Sequence, residues 1–573
     1  EGAGEDTYLG SQIAAAQVRG FQGKDLRATN TLLACAKHFA AYGAAQAGRD
    51  YHTVDMSEVT LREVYLPPFK AALDAGAATF MTAFNEINGV PASANQLILD
   101  QILRKEWGFQ GFVVTDYTSI NEMVPHGYAS DEKHASELSA NAGVDMDMMS
   151  AAFYNHLTTL IAEGKVSVAT IDQAVRRILR KKYELGLFDD PYRYCDAERE
   201  KRTLLSPANL EAARDMARKS MVLLQNTGNV LPLSRLTGTV AVIGPLADNK
   251  PDLLGSWHGA GDASHAVTLL EGIRQKVGPS TKVLYAKGCD FSSITPQELR
   301  QASEIARQAD VVILAVGEQE TMSGEAACRT DLRLPGQQEA LVSAMIASGK
   351  PIVVVLMNGR PLVLGSLVDN ANAILEAWFP GTMGGLAIAD VLFGDYNPSG
   401  KLPVTFPRSV GQIPIFYNQK NTGRPMDIDP NGKYTSKYLD VPNTPQFPFG
   451  FGLSYTDFAY SQLQVSYPAW KMQDSLVVTV NVRNIGKYDG EEVVQLYVRD
   501  LVGSTTRPVR ELKGWQKIAL KKDESKDVRF VLRANDLRFV HPDLRFEAEP
   551  GEFEIFVGGS SQTHHSRRVL LMN

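Results

Sequence analysis

The sequence predicts two α/β domains followed by an all-β sandwich, on three observations. Over residues 1–188 and again over 217–410, short apolar runs alternate with amphipathic stretches of helical period, whereas beyond residue 456 the apolar period drops to two. A length of 573 residues, at roughly 150 per domain, makes room for three or four domains. Hydrophobic residues at 44% and charged ones at 21% are ordinary for packed protein, which excludes disorder as the bulk state. Apolar runs such as 311–316 fall far short of the ~20 residues needed to cross a bilayer, so no membrane partner is expected. A net charge of −7 leaves no basic footprint for nucleic acid and suits a neutral substrate.

In the first domain the candidate strands are 34–39, 77–84, 111–116 and 142–148, with helices over 59–75 and 96–107 between them and a helix over 171–186 after them. The strand ends at Phe39, Phe84, Asp116 and Met148 fall 45, 32 and 32 residues apart, the rhythm of βα units in a parallel α/β domain or barrel. A full eight-unit barrel takes about 250 residues, so the four strands visible in this domain read as a partial barrel, incomplete on its N-terminal side. A polar, basic stretch opens a linker over 189–216. The second domain, 217–410, holds candidate strands 240–244, 282–287, 310–317, 351–357 and 373–378, flanked by Gly and Pro, the pattern of a mostly parallel sheet covered on both faces. A Pro-, Gly- and Asn-rich connector covers 411–455. Alternating strands at 475–483, 491–498, 517–520, 526–531 and 551–557 then mark the sandwich of 456–573.

No nucleophilic-serine, phosphate-loop or dinucleotide motif is present, and no His-Glu-x-x-His. The run Gly381–Gly385 lacks the lysine of a phosphate loop and reads as the start of a tightly packed helix. Four dispersed cysteines, Cys35, Cys195, Cys289 and Cys328, make neither a metal site nor a disulfide framework. Paired carboxylates remain as the chemistry to consider. Asp116 closes the apolar run 111–115, and the C-terminal end of a parallel strand is where α/β barrels build active sites. Read locally, an Asp that only caps the strand end is the plainer alternative. Glu318, Glu320 and Glu325 share a long loop after the run 310–316, and spacing alone does not choose among them. Lys37 and His38 end the first run on the same edge as Asp116, and a buried Lys there would need a carboxylate or hydroxyl partner. Arg49 is close enough in sequence to join them, and a strand-end Lys reaching solvent is the equal alternative.

Taken in order, several motifs resemble glycoside hydrolase family 3. They are Lys37-His38-Phe39-Ala40-Ala41-Tyr42-Gly43, Gly48-Arg49-Asp50-Tyr51, Asn88-Gly89-Val90-Pro91-Ala92-Ser93, Gly111-Phe112-Val113-Val114-Thr115-Asp116-Tyr117 and Ala142-Gly143-Val144-Asp145-Met146-Asp147-Met148. The likeness continues through Trp378-Phe379-Pro380-Gly381, Gly394-Asp395-Tyr396-Asn397-Pro398-Ser399-Gly400-Lys401-Leu402-Pro403 and Pro448-Phe449-Gly450-Phe451-Gly452-Leu453-Ser454-Tyr455, so it spans nearly the whole chain. It implies a TIM-like barrel, an α/β sandwich and a fibronectin type III-like domain. The implied activity is that of a retaining, exo-acting β-glucosidase, which releases terminal non-reducing β-D-glucose from oligosaccharides or β-glucosides by double displacement, without cofactor or metal. By motif match Asp116 is the expected nucleophile and Glu325, in Ser323-Gly324-Glu325-Ala326-Ala327-Cys328-Arg329, the expected general acid/base. Lys37, His38 and Arg49 would bind hydroxyls of the terminal sugar, while Met81, Phe84 and Tyr117 would line its apolar face. Two carboxyls on different domains would make catalysis depend on interdomain docking.

The stretch 42–51 has the glucosidase-like form rather than the pattern with a catalytic His, which disfavours an N-acetylhexosaminidase. A β-xylosidase or broad β-glycosidase, and a catalytically impaired carbohydrate-binding fragment, are the alternatives left open. The family's sugar-binding Asp and Arg would precede the motif Glu1-Gly2-Ala3-Gly4-Glu5-Asp6. An open barrel edge favours association, so a homodimer or a second chain completing the barrel is expected. The family also leans to a periplasmic or secreted location.

Overall fold

The computed structural model describes residues 3–573, so the first two residues of the motif at Glu1 lie outside the described residues. The chain divides into two compact units, one of Glu1–Arg202 with Phe539–Phe546, the other of Thr203–Arg538 with Glu547–Asn573. No helix among the described residues is long and apolar enough to cross a membrane.

In the first unit, Asp6 caps the helix Thr7–Gln22 by accepting from the Leu9 N–H at 2.6 Å. Strands β1 (Cys35–Phe39), β2 (Thr79–Thr82) and β3 (Phe112–Val114) pair in parallel in that order. The run 142–148, expected as a fourth strand, contributes only a parallel bridge from Met146 to Val114. Side chains replace the rest of its ladder: Asp145 Oδ2 accepts from the Val113 N–H at 2.8 Å, and Thr115 Oγ1 accepts from the Met148 N–H at 2.9 Å. The segment Leu97–Glu106 winds with wide i→i+5 turns and buries Ile98, Leu99, Ile102 and Leu103 beneath the sheet, in one core with Phe39, Phe80 and Val113. Phe539–Phe546, counted with the sandwich in the sequence, clusters with this unit because Phe539 and His541 are buried and the segment touches the helical turn Leu61–Tyr65.

The second unit holds a six-stranded sheet of β4 (Val222–Asn226), β5 (Thr239–Ile243), β6 (Lys282–Ala286), β7 (Val311–Gly317), β8 (Ile352–Met357) and β9 (Ala373–Glu376), in the order β4-β9-β8-β7-β5-β6. All pairings are parallel except that of β4 with β9. Every residue of β7 and β8 is buried, as continuous apolar runs in a doubly covered sheet require. The expected linker over 189–216 ends in the helix Pro207–Ser220. What holds that helix is Arg214, whose Nε and Nη2 each donate at 2.6 Å to the buried Asp390 on the helix Gly384–Leu392. The helix Gly384–Leu392 is the one expected after the Gly381–Gly385 run. At Gly385 an added Cβ would stand 1.9 Å from the Thr268 carbonyl oxygen, so only glycine permits that approach.

The sandwich pairs β10 (Phe458–Val465), β12 (Ser475–Asn484) and β15 (Ser525–Arg533) in one sheet. The other contains β11 (Ala469–Lys471), β17 (Ser566–Met572), β16 (Gly551–Gly558), β13 (Gly490–Asp500) and β14 (Glu511–Leu520), in that order. Alternate residues Leu476, Val478, Val480 and Val482 face the core, as a period of two dictates.

Candidate active site

Asp116 follows the C-terminal end of β3 and is only 8% exposed. Its two carboxylate oxygens are treated differently. Oδ1 accepts from the Tyr117 N–H at 2.7 Å, while Oδ2 lies 3.2 Å from His38 Nε2 and receives no in-line hydrogen bond from any described residue. One oxygen is therefore fixed and the other keeps its lone pairs. A buried chain of hydroxyls braces the site from behind: Thr82 to Ser93 at 2.7 Å, then Ser93 to Ser119 at 2.7 Å, with the Ser119 N–H donating to the Asp116 carbonyl at 3.2 Å. Glu122 has its carboxyl raised above the ordinary range, by burial first and then by the negative charge of Asp116.

Below the strand, Asp145 accepts from Arg104 Nη2 at 2.5 Å and Arg177 Nη1 at 2.7 Å. Arg104 also donates to the carbonyls of Phe109 and Gly111, at 3.1 and 2.6 Å, so the turn into β3 is clamped from three directions. Burial lowers the Arg104 guanidinium to about 10 against the pull of Asp145.

Of the residues singled out in the sequence, His38 and Asp116 meet. Phe84 joins an aromatic group with Tyr51, at 5.3 Å between ring centres, and with Tyr42, which stands 5.1 Å from the His38 ring. Met81 lies on β2 paired with Val114 of β3, and is half-buried. Tyr117 is 55% exposed. Lys37 and Arg49 are both exposed, so the desolvation argument for a partnered Lys37 fails: the side chain reaches the open face of β1 and bears no burial cost. Ser93, Ser119 and Arg104 were missed as supports. Their only signal was position within or beside the quoted motifs.

In the second unit the loop that carries Glu325 leaves β7 at Gly317, whose N–H and C=O are both held at 2.8 Å by the side chain of buried Gln338. Glu318, fully buried, is the loop's anchor: its Oε1 lies 2.6 Å from Arg329 Nη1 and 3.1 Å from Arg360 Nε, and Oε2 accepts from the Gly359 N–H at 3.2 Å. Glu325 itself is exposed. Its neighbour Gly324 takes φ +100°, where an added Cβ would also stand 2.3 Å from Ser256 Oγ. Glu376, fully buried at the end of β9, is raised to about 8, by burial first, opposed by hydrogen bonds from the Trp378 N–H and Asn358, and reinforced by the charge of Glu318. Glu318 and Glu376 are thus both fully buried, and of the loop's three carboxyls Glu325 is the exposed one. No group of three or more His, Cys, Asp or Glu suited to a metal occurs among the described residues.

The comparisons with known proteins give the class of the chain, which is that of the glycoside hydrolases. The chain matches the glycosyl hydrolase family 3 N-terminal domain over residues 1–181, the C-terminal domain of that family over 221–455, and a fibronectin type III-like domain over 492–561; it belongs to glycosyl hydrolase family 3. It is 45% identical to a periplasmic β-glucosidase of Salmonella typhimurium, across 98% of this chain and 76% of that one. A β-xylosidase of Formosa agariphila is 40% identical, across 100% of this chain and 80% of its own length. A β-glucosidase of Listeria innocua, solved in complex with glucose, is 39% identical with a TM-score of 0.96, covering 100% of this chain and 79% of that one.

Proposed function

We propose that the protein is a retaining, exo-acting β-glucosidase that works by double displacement, with Asp116 as nucleophile and Glu325 as general acid/base. The observation that carries the reading is the buried Asp116 carboxylate at the end of β3, with Oδ1 held by the Tyr117 N–H and Oδ2 without a hydrogen bond 3.2 Å from His38 Nε2. In the first step a carboxylate oxygen of Asp116 bonds to the anomeric carbon as the C1–O bond to the aglycone breaks, and the Glu325 proton goes to the departing oxygen. In the second, Glu325 takes a proton from water, the water oxygen bonds to C1, and the ester to Asp116 breaks. Two inversions give net retention. Lys37, His38 and Arg49 are assigned to sugar hydroxyls, and Met81, Phe84 and Tyr117 to its apolar face. The name of the Salmonella relative supports a periplasmic location.

Hydrolysis of an aryl β-D-glucoside tests the reading. The wild type is expected to turn over with the anomeric configuration retained, and Asp116→Asn to fall by at least ~10⁴-fold, the nucleophile being irreplaceable in a covalent route. Turnover by Asp116→Asn within tenfold of wild type would overturn the assignment. The Formosa relative favours one second reading, a β-xylosidase. A kcat/KM for the aryl β-D-xyloside above that for the glucoside would establish it.

A further inference from the structure

We propose that Arg360 is a positioning residue for the general acid/base, its guanidinium fastening the backbone on both sides of Glu325. The inference rests on the assignment of Glu325 above. Arg360 Nη2 donates to the carbonyl of Ala327 at 2.8 Å and to that of Met322, so the two bonds bracket residues 323–326. Its Nε lies 3.1 Å from Glu318 Oε1 at the root of the same loop. One planar cation thus hydrogen-bonds Met322, two residues before Gly324, and Ala327, two residues after Glu325, and lies at ion-pair distance from Glu318 at the root of the loop. A guanidinium suits this task because its donors are fixed in one plane, whereas an ammonium offers a single point of charge.

The frame is itself anchored. Asn358 Nδ2 donates to the Arg360 carbonyl at 2.9 Å and stands 3.2 Å from Glu376 Oε2, so the Arg360 backbone is tied to the end of β9. Arg329 shares Glu318 from the far side of the loop and also donates to the Arg333 carbonyl at 3.0 Å. Elsewhere this loop offers only the short turn Glu320–Met322 as regular structure. An exposed acid on such a loop delivers its proton accurately only if something else holds the backbone. Arg360 does not touch the reacting atoms, and its effect is exerted through Glu325.

This role has a kinetic signature that loss of fold or of sugar binding lacks. A 2,4-dinitrophenyl leaving group departs without protonation, whereas phenyl and methyl glucosides need the acid. Arg360→Met is expected to keep kcat/KM on 2,4-dinitrophenyl β-D-glucoside within about threefold of wild type while losing roughly 10²-fold on phenyl β-D-glucoside, the lower end of what a misplaced general acid costs. Azide, which attacks C1 of the glycosyl-enzyme without base assistance, should raise kcat of Arg360→Met on the dinitrophenyl substrate and yield β-glucosyl azide. Arg360→Lys keeps the charge near Glu318 but cannot span both carbonyls. It should show the same leaving-group split at smaller amplitude, and it decides the matter if Arg360→Met does not fold. Equal losses on both substrates with no azide effect, in whichever of the two variants folds, would overturn the proposal. Glu325→Ala run alongside separates the two claims: absence of the split there would remove the acid/base assignment itself, whereas its presence there and absence in the Arg360 variants would remove only the positioning role.

Discussion

Glu376 shows what a single residue carries in this molecule. It is fully buried and its carboxyl is raised from 4.5 to about 8, so in the folded chain it stays protonated near neutrality. The unfolded chain ionises it near 4.5, and between those values the native state holds a proton that the unfolded state has released. Stability contributed by the neutral group is therefore complete below pH 4.5 and falls by about 1.4 kcal/mol per pH unit until the folded group ionises near 8. Glu376→Gln keeps the shape and removes the titration. Urea unfolding at pH 5 and pH 7.5 should find the variant gaining about 3 kcal/mol on wild type between the two; parallel pH profiles would refute the protonated state. Glu376 could not be read from the sequence, where it sits as a lone charged residue inside the apolar run 373–378. Asp116 stood out by its place at a strand end, but its role and the choice of Glu325 came only through motifs, since spacing does not choose among the 65 acidic residues. Arg360 stayed invisible because its partners, Met322 and Ala327, are backbone carbonyls more than thirty positions away.

Among the elements, β3 is the one on which Asp116, the proposed nucleophile, depends, and it is only three residues long. Its position is set less by the ladder than by Asp145, whose carboxylate joins Arg104, Arg177 and the Val113 N–H. Removing that side chain leaves two cations and a backbone donor unsatisfied, a loss of the kind worth about 3–5 kcal/mol. Asp145→Ala should destabilise the chain by that amount in urea unfolding, and Asp145→Asn by less because it can still accept from the Val113 N–H. A wild-type unfolding curve for Asp145→Ala would show that the clamp carries no stability. The same substitution of side chain for ladder explains why 142–148 reads as a strand and is not one. The reverse failure occurs at β10, a strand with no clear signal in the sequence: its pairing with β12 slips between Ser461 and Gln464, and Gln462 takes φ +52°, which breaks the period-two pattern. β4 escaped for another reason. It follows the helix Pro207–Ser220 with only Met221 between, so no turn residue marked its start.

Across the whole molecule, texture was the legible part. Two stretches of βα rhythm and one of period two come from buried faces that repeat over many residues, so local errors average out. The bundling of elements into two units was not legible. The second unit is gathered by contacts such as Arg214 with Asp390, and the first takes in Phe539, far from its sequence neighbours, by burying it. Apolar burial is what holds these units: one cluster on each face of the six-stranded sheet, one under β1–β3 and one inside the sandwich. No covalent link assists, for all four cysteines are free. The thiols should therefore report the fold without supporting it. Cys289 is fully buried and its thiol is pushed up to about 12, by burial first and then by Asp290 and Glu298. Cys35 is an exposed residue, but burial of its thiol group raises it as well, with the charge of Asp116 adding to the shift. Reactivity follows the thiolate, so an aromatic disulfide reagent at pH 8 should modify Cys195 and Cys328 first, Cys35 more slowly, and Cys289 only when the chain unfolds. The urea midpoint should be the same with and without reductant. Fewer than four thiols titrating in urea before reduction, together with a midpoint lowered by reductant, would reveal a disulfide and refute the account of a chain held without covalent links.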